Sequence, residues 1–373
     1  MELVLNGRFL TRSMSGVDRV ATELMLAIMR QGREQPESAP ALSRVEPVHD
    51  GTVAPQTRAE GILSLPRRAS LPLRGQWWEQ ISLPVVGNGS WLLSLCNTGP
   101  VLRRRQVVLI HDAQVYDQPE AYSPLFRGLY RTLQPRLARR ADLVLTVSDY
   151  SRMRLERNGV VPEGKAHVVH NGTDHILDVE EDATAVRRFN LTAKGYILAI
   201  GSLARHKNLG FLIAAAQARK STEVPLVIAG GGNDKVFAKA GLREGNGVRI
   251  LGRVSDGALK ALYRNAQALA FPSKTEGFGL PAAEAMFCGC PVIATTGGAV
   301  PEVCGGAVRY ADPDDQGAWT AALEEIAENP GLRADLAARG KRQVAQFTWR
   351  NAARKVLRHI AELEARAPGE TRC

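Results

Sequence analysis

Short apolar stretches alternate with longer amphipathic stretches along most of the chain. The short stretches are almost continuously apolar, which is typical of strands covered on both faces of a parallel sheet. They predict strands over Leu3–Asn6, Gln106–His111, Leu143–Ser148 and His167–His170, then over Tyr196–Gly201, Pro225–Gly230, Val248–Gly252, Ala268–Pro272 and Pro291–Ala294. Apolar residues at three- and four-residue spacing predict helices between them, over Val17–Met29, Pro124–Arg139, Leu209–Arg219 and Asp256–Asn265.

Each half of the chain therefore has the pattern of a doubly wound α/β domain. We expect one domain over residues 1–180 and another over residues 190–348, with a linker around Asp174–Phe189. Residues 31–75 predict an irregular surface excursion with at most one strand near Val45–Val48. After Gly305 the pattern becomes helical, over Asp314–Asn329, Pro330–Gln346 and Trp349–Ala365.

Composition narrows the class of protein. The chain has 373 residues, 45% of them hydrophobic and 23% charged, as in globular proteins with sizeable cores. No apolar run approaches the ~20 residues that span a bilayer. The five cysteines are an odd number, which argues against a disulfide framework and for a reducing cytoplasm. Cys288-Gly289-Cys290 has no second Cys or His pair at zinc-site spacing, so we expect no metal site.

The net charge of +10 is unevenly distributed. Arginines cluster at Arg103–Arg105 and along the predicted helix that contains Arg127, Arg131, Arg136, Arg139 and Arg140. Two interpretations stay open: a solvated basic surface, or a surface that attracts anionic lipid headgroups or diphosphate substrates. No aromatic-interleaved nucleic-acid module accompanies the arginines, so we expect no nucleic-acid partner.

The sharpest chemical signal is the segment Thr275–Glu284, which follows the predicted strand Ala268–Pro272. Glu276 and Glu284 are separated by seven residues and flank a glycine-containing loop at a helix start. A helix N-terminus at the carboxyl edge of a sheet offers free N–H groups to an anion. Glu284 could bind ribose hydroxyls, and Glu276 could face a group beyond the phosphates. The alternative is that both carboxylates only cap and solvate the helix.

These features resemble a known family. Glu276 and Glu284 match the E-x7-E signature of retaining GT-B glycosyltransferases, most like glycosyltransferase family 4 (glycosyl transferases group 1) and its bacterial exopolysaccharide mannosyltransferases. Other segments resemble family motifs in the expected order: Asn6–Phe9, Ser15–Arg19, His111-Asp112, Thr146–Ser151, Val169–Asp174 and Gly201–Asn208. The resemblance implies two Rossmann-like domains facing a central cleft, with acceptor bound by the N-terminal domain and nucleotide sugar by the C-terminal domain. It also implies that the helix in residues 349–373 crosses back to the N-terminal domain.

The resemblance implies roles for particular residues. His111, Glu276 and Lys207 would be catalytic, Lys207 as a point charge against the donor diphosphate. The implied donor-binding residues are Gly16, Gly201, Ser202, Arg205, Lys207, Glu276, Gly277, Phe278, Gly279, Leu280 and Glu284. Ser202 occupies the position where relatives commonly carry an arginine. Either Arg205 compensates, or the phosphate charge is neutralised less fully.

On the acceptor side, His111 would hydrogen-bond the transferred sugar and Asp112 would orient its ring. The adjacent Trp77 and Trp78 cannot both face one core, so at least one should lie at a surface or in a cleft. Trp78 would either stack against an acceptor sugar or fill the core.

The resemblance implies retaining, metal-independent transfer of a sugar from a nucleotide sugar, with no cofactor beyond this co-substrate. GDP-mannose is the first expectation for the donor, and UDP- and dTDP-sugars stay open. The expected acceptor is a saccharide, lipid-diphosphate-linked, in bacterial polysaccharide synthesis at the inner face of the plasma membrane. The alternatives are a non-transferase nucleotide-sugar enzyme on the same fold and a basic binding protein without catalysis.

Overall fold

The protein folds into two compact units. The computed structural model describes residues 2–12, 14–34, 44–49, 51, 60–65, 70–86, 89–230 and 245–366. The first unit comprises Met1–Gly172 together with Thr348–Cys373, and the second comprises Thr173–Phe347. None of the described helices is long and apolar enough to cross a bilayer. Of the predicted excursion over residues 31–75, the parts outside these ranges are not described.

The first unit is built around a parallel sheet with strand order β2-β1-β3-β4-β5-β6. Its strands are β1 (Glu2–Asn6), β2 (Arg44–Val48), β3 (Trp91–Ser94), β4 (Gln106–Leu109), β5 (Leu143–Thr146) and β6 (Ala166–Val168). Its helices are α1 (Gly16–Glu34), α2 (Glu60–Leu63), α3 (Gly75–Trp77), α4 (Gln114–Asp117), α5 (Pro124–Arg140), α6 (Asp149–Arg157) and, from the chain's end, α15 (Trp349–Arg366).

The second unit contains a second parallel sheet, with strand order β12-β11-β10-β7-β8-β9. Its strands are β7 (Ile197–Ile200), β8 (Leu226–Ala229), β9 (Val248–Gly252), β10 (Ala268–Phe271), β11 (Val292–Thr295) and β12 (Arg309–Ala311). Its helices are α7 (His175–Asp178), α8 (Ala185–Arg188), α9 (Leu209–Gln217), α10 (Asp256–Asn265), α11 (Leu280–Phe287), α12 (Val300–Cys304), α13 (Gln316–Glu328) and α14 (Pro330–Val344).

The buried strands explain why these runs form sheets. Every residue of β3, β4, β5, β8, β10 and β11 is buried, as expected for strands that have helices on both faces. Serines then begin the helices after the strands: Ser148 accepts a hydrogen bond from the Ser151 N–H at 3.0 Å at the start of α6, and Ser255 does the same for Ala258 at 3.2 Å.

Each sheet has a point where the strand order reverses. It lies between β1 and β3 in the first unit and between β7 and β10 in the second. Loops that leave neighbouring strands in opposite directions open a crevice at their carboxyl ends, which is where doubly wound sheets bind ligands. The residues that follow β7 and β10 are therefore placed where a ligand would bind.

Several details differ from the sequence-based expectation. β3 and β12 were not predicted; β12 has only three residues and carries the polar side chain of Arg309 at the sheet's edge. The segment expected to be a linker folds onto α10: the Lys260 Nζ donates to the carbonyl oxygens of Leu177 at 2.7 Å and Val179 at 2.8 Å. α15 packs against α1, and the Trp91 indole N–H donates to Glu364 at 3.0 Å.

Candidate active site

A partly buried ion pair joins the loops that follow β7 and β10. The Lys207 Nζ lies 2.7 Å from Oε1 of Glu276, whose residue is only 8% exposed. A buried carboxylate needs such a partner, because removal from water is costly unless charge and hydrogen bonds compensate. An ammonium has three N–H donors, so two remain for another acceptor. The structure thus brings together two residues that the sequence assigns to the diphosphate and the sugar separately.

The loop carrying Glu276 is held at two places. The Lys274 N–H donates to the His206 carbonyl at 2.7 Å, and the Ala299 N–H donates to the Glu276 carbonyl at 2.9 Å. Gly297 and Gly298 permit this approach: a Cβ would lie 2.2 Å from the Lys274 oxygen in the first case and 2.4 Å from the Glu276 nitrogen in the second. Sequence reasoning missed this pair, although two consecutive glycines after a buried strand are a signal of close backbone approach.

The loop after β7 presents the other predicted donor-binding residues. Gly201 lies against Gly230. A Cβ added to Gly230 would lie 2.7 Å from the Gly201 carbonyl oxygen. Ser202 is exposed and its hydroxyl accepts a hydrogen bond from the Ala204 N–H at 3.4 Å. Arg205 is exposed and makes no side-chain hydrogen bond or ion pair with any residue that the structure describes.

Helix α11 begins at the same edge, just after Gly277 and Phe278. Gly279 precedes the helix with φ of 94°, a conformation that favours glycine. Phe278 is buried edge-to-face against Phe347, with ring centroids 5.6 Å apart. Within the described ranges, the N–H groups of Gly279 and Leu280 have no hydrogen-bond acceptor. They form the positive end of a helix beside Lys207 and Glu276.

Glu284 lies inside the second unit, where it is 6% exposed. Its Oε2 accepts a hydrogen bond from the Tyr263 hydroxyl at 3.1 Å, and its Oε1 lies 3.1 Å from Nε2 of His175. Burial and the nearby carboxylate raise the pKa of Tyr263 well above its ordinary value. The view that Glu276 and Glu284 only solvate a helix is therefore wrong, because both are buried and bound by other side chains. Tyr263 and His175 were not singled out by the sequence.

In the first unit, His111 follows β4 and is 5% exposed. Its Nε2 lies 2.9 Å from the Leu95 carbonyl oxygen, so Nε2 carries the proton and Nδ1 is an acceptor. Burial lowers the pKa of His111 to about 4, which keeps the ring neutral near pH 7. The expectation that Asp112 orients this ring is wrong: Leu95 does so, and the Asp112 carboxylate accepts a hydrogen bond from the Gln114 N–H at 3.0 Å.

Two further predictions concern the first unit. Gly16 is the exposed first residue of α1, and a Cβ there would meet no atom within 4 Å. Trp78 is completely buried, with its indole N–H donating to the Ser70 hydroxyl at 3.0 Å. Its assignment to acceptor stacking is therefore wrong, because the ring has no exposed face. The neighbouring Trp77 is 73% exposed.

A polar cluster near the reversal point of the first sheet was also missed. The Glu79 carboxylate is 1% exposed and accepts hydrogen bonds from Asn6 at 2.8 Å and from Arg8 at 3.1 Å. Asp18, also 1% exposed, accepts hydrogen bonds from Arg12 Nε at 2.9 Å and from the Ser15 hydroxyl at 2.7 Å. Both buried carboxylates are thus bound by arginines of the segment that follows β1.

Comparison with known proteins gives consistent matches in both units. Residues 14–176 match the family model described as Glycosyltransferase Family 4. Residues 183–343 match the model described as Glycosyl transferases group 1. Together the two matched ranges contain the described strands β2–β12 of both sheets.

Among curated relatives, the O-antigen chain mannosyltransferase B of Escherichia coli is 35% identical over 260 residues, which cover 66% of this chain and 68% of the relative. The O-antigen chain mannosyltransferase RfbU of Salmonella typhimurium is 29% identical over 293 residues, 77% of each chain. Among solved structures, Anabaena Alr3699/HepE in complex with UDP and glucose has a TM-score of 0.71 at 17% identity, covering 98% of this chain and 100% of that one. That likeness establishes the fold.

Proposed function

The chain belongs to the family 4, group 1 glycosyltransferases, and from this premise we propose that it transfers a mannosyl group from a nucleoside-diphosphate mannose to a saccharide acceptor. The observation that carries the proposal is the contact between Lys207 and Glu276 at the reversal point of the second sheet. Such an edge binds nucleotides in doubly wound folds, and here it holds a cation, a carboxylate and a helix N-terminus together.

The donor diphosphate meets three groups of the second unit in this proposal. Lys207 uses its two remaining N–H donors, and the N–H groups of Gly279 and Leu280 at the start of α11 add two more. Because Glu276 already offsets part of the Lys207 charge, a second cation is needed for a dianionic leaving group. Arg205 is exposed and free of described partners, so it supplies that charge where Ser202 cannot.

The identity of the sugar and the identity of the nucleotide base are supported by different observations. Mannose is supported by the names of the E. coli and Salmonella relatives, both mannosyltransferases. GDP is the first choice of nucleotide, and UDP- and dTDP-sugars are the alternatives; the Anabaena structure of the same fold contains UDP. Glu284, held by Tyr263 and His175, keeps lone pairs on both oxygens that can accept hydrogen bonds from ribose hydroxyls.

We propose that transfer retains the anomeric configuration and needs no metal. The bond from the anomeric carbon to the phosphate oxygen breaks, and a bond to the acceptor oxygen forms on the same face. The acceptor proton passes to the departing phosphate oxygen. Lys207 and the α11 N–H groups stabilise the developing phosphate charge, and each donor lowers the barrier by about 2.7–4 kcal/mol. Neutral His111 accepts a hydrogen bond from a sugar hydroxyl at Nδ1.

The acceptor in this proposal is a saccharide linked to a lipid diphosphate. The E. coli and Salmonella relatives are both named O-antigen chain mannosyltransferases, which supports a growing polysaccharide as the acceptor. The described residues contain no spanning helix, so such an acceptor would be reached from the membrane surface.

A donor panel tests the proposal directly. The full chain is mixed separately with GDP-mannose, UDP-glucose, UDP and dTDP-glucose, and its melting temperature is measured. A bound donor stabilises the folded state by RT ln(1 + [L]/Kd), so the correct nucleotide sugar should raise the melting temperature most. Lys207→Ala should reduce this rise. No rise with any nucleotide sugar would overturn the proposal.

Product analysis then tests the chemistry. Nuclear magnetic resonance of the product should show the same anomeric configuration as the donor, and EDTA should leave the rate unchanged. An inverted anomer would overturn retention, and a rate lost in EDTA and restored by magnesium would overturn metal independence. Donor consumption without a glycosylated product would favour a non-transferase activity.

A further inference from the structure

An exposed apolar stripe runs along the helical segment Gly75–Val85 of the first unit. α3 continues there into a π-helical turn and a 3₁₀ turn without a break. Trp77, Ile81 and Val85 recur every four residues and are 73%, 49% and 68% exposed. The opposite face is buried, with Trp78 and Leu83 both fully inaccessible to solvent. One face of this segment thus builds the core while the other presents large apolar side chains to solvent.

The loop over residues 99–105 lies beside this stripe. The Gln80 amide donates to the Gly99 carbonyl at 2.9 Å and accepts from the Val101 N–H at 3.0 Å. Arg103 donates to the Pro84 carbonyl at 3.1 Å. Leu102, between these anchors, is 69% exposed. We call the side chains of Trp77, Ile81, Val85 and Leu102 the Trp77 surface.

Exposed arginines lie close in sequence to the Trp77 surface. Arg74, Arg104 and Arg105 are exposed at its borders. The sequence from residue 70 to residue 105 contains one carboxylate, Glu79, which is buried and bound to Asn6 and Arg8. Arg103 is itself buried, with its guanidinium also donating to the Ser90 carbonyl at 2.8 Å, so it holds the loop and does not contribute to the basic border.

We propose that the Trp77 surface is a docking site for an anionic lipid bilayer. Exposed apolar residues that share a border with arginines match a bilayer interface, where apolar side chains enter the headgroup boundary and cations meet lipid phosphates. Tryptophan is suited to this depth because its ring is apolar while its N–H stays hydrated. A second copy of the chain fits less well, because a two-fold contact would bring identical arginine borders together.

The proposed function supplies only the reason for membrane binding, which is to bring the enzyme to a lipid-linked acceptor. Its test needs neither donor nor acceptor. Failure of lipid binding would therefore leave the transfer reaction standing, and failure of the donor panel would leave lipid binding standing.

Vesicle flotation is the main experiment. The full chain is mixed with vesicles of phosphatidylcholine alone or of an equal mixture of phosphatidylcholine and phosphatidylglycerol. We expect binding to the mixed vesicles and loss of it in Trp77→Ser combined with Val85→Ser. Arg74→Glu and Arg104→Glu should each weaken binding by about fivefold or more. All these positions are exposed, so the melting temperature should stay unchanged.

Matched controls lie on α5 of the same unit. Leu125→Ser removes an apolar side chain that is 85% exposed, and Arg139→Glu reverses an exposed basic charge. Both should float like the wild type. An equal loss of binding in these variants would overturn the proposal in favour of the basic face of α5.

Intrinsic fluorescence gives an independent measurement. Of the five tryptophans, Trp77 is the exposed one, while Trp78, Trp91, Trp319 and Trp349 are at most 5% exposed. Mixed vesicles should shift the emission of the wild type to shorter wavelength, and Trp77→Phe should show no shift.

Three results would overturn the proposal: no binding to mixed vesicles, full binding by the Trp77 and Val85 double variant, or a shift that survives Trp77→Phe. Light scattering tests the alternative that a second copy of the chain binds the Trp77 surface. A dimer that dissociates in the same double variant would assign this surface to a second copy of the chain.

Discussion

The Nε2 of His175 lies 3.1 Å from Oε1 of Glu284, and the Tyr263 hydroxyl donates to the other oxygen of that carboxylate. Three segments that are distant in sequence thus fix one side chain: α7, α10 and α11. A carboxylate held on both oxygens is oriented before any ligand arrives, which reduces the ordering cost of binding.

We therefore expect Tyr263→Phe to raise the KM for the donor about 2- to 10-fold, since a hydrogen bond contributes about 0.5–1.5 kcal/mol. The kcat should change less. Tyr196→Phe is the matched control, because its buried hydroxyl donates to the Leu262 carbonyl at 2.8 Å and does not contact Glu284. Steady-state kinetics should separate the two variants. Equal KM values would mean that Tyr263 is only structural.

Removal of the Lys207 ammonium should affect turnover more strongly. Lys207→Ala should reduce kcat about 100- to 1,000-fold, because the leaving phosphate loses a charged donor. The control is Lys274→Ala on the loop that carries Glu276, because this change breaks an exposed ion pair with Asp314. That variant should keep most activity. A Lys207→Ala enzyme with normal kcat would exclude the proposed role.

Glycine substitutions should separate ligand contact from backbone packing. Gly16→Ala should leave the melting temperature unchanged, because its Cβ would enter open space, and should lower activity if a ligand approaches that backbone. Gly298→Ala should lower both, since its φ is 66° and its Cβ would lie 2.4 Å from the Glu276 nitrogen. Thermal unfolding and initial rates of the two variants check this. Normal activity in Gly16→Ala would contradict the predicted donor contact.

The pH dependence of stability should carry the signature of His111. Its pKa is lowered from 6.5 to about 4 on folding, because burial disfavours the charged ring. The unfolded chain therefore binds the extra proton first, and the free energy of unfolding falls as the pH drops from 6.5 towards 4. Urea unfolding at about pH 7 and about pH 5 should show a smaller loss for His111→Gln than for the wild type. Equal losses would contradict a buried neutral ring.

The local order of the site could be predicted from sequence, but its contacts could not. Continuous apolar runs identified most strands, and the segment from Glu276 to Glu284 indicated a ligand loop at a helix start. Lys207 and Glu276 are 69 residues apart, and no local pattern shows that their side chains meet. The contact of His175 with Glu284 could not be predicted, because His175 lies in the segment that was expected to be a linker.

The orientation of the adjacent tryptophans could be predicted from the sequence only in part. The sequence requires that Trp77 and Trp78 face different directions, but their order depends on the π-helical turn that begins at Trp78. The three consecutive arginines Arg103–Arg105 likewise appear equivalent in the sequence. In the structure, however, Arg103 is buried and its guanidinium donates to the carbonyl oxygens of Pro84 and Ser90. Backbone acceptors leave no trace in a sequence, so burial of such a side chain could not be predicted.

The packing of α15 against α1 has a consequence for biosynthesis. The second unit is one uninterrupted stretch of polypeptide, whereas the first is assembled from both ends of the chain. On the ribosome, the second unit has all its residues while α15 is still untranslated. The first unit cannot cover α1 until α15 has been synthesised, so a nascent chain halted before Trp349 would carry a complete second unit and an incomplete first one.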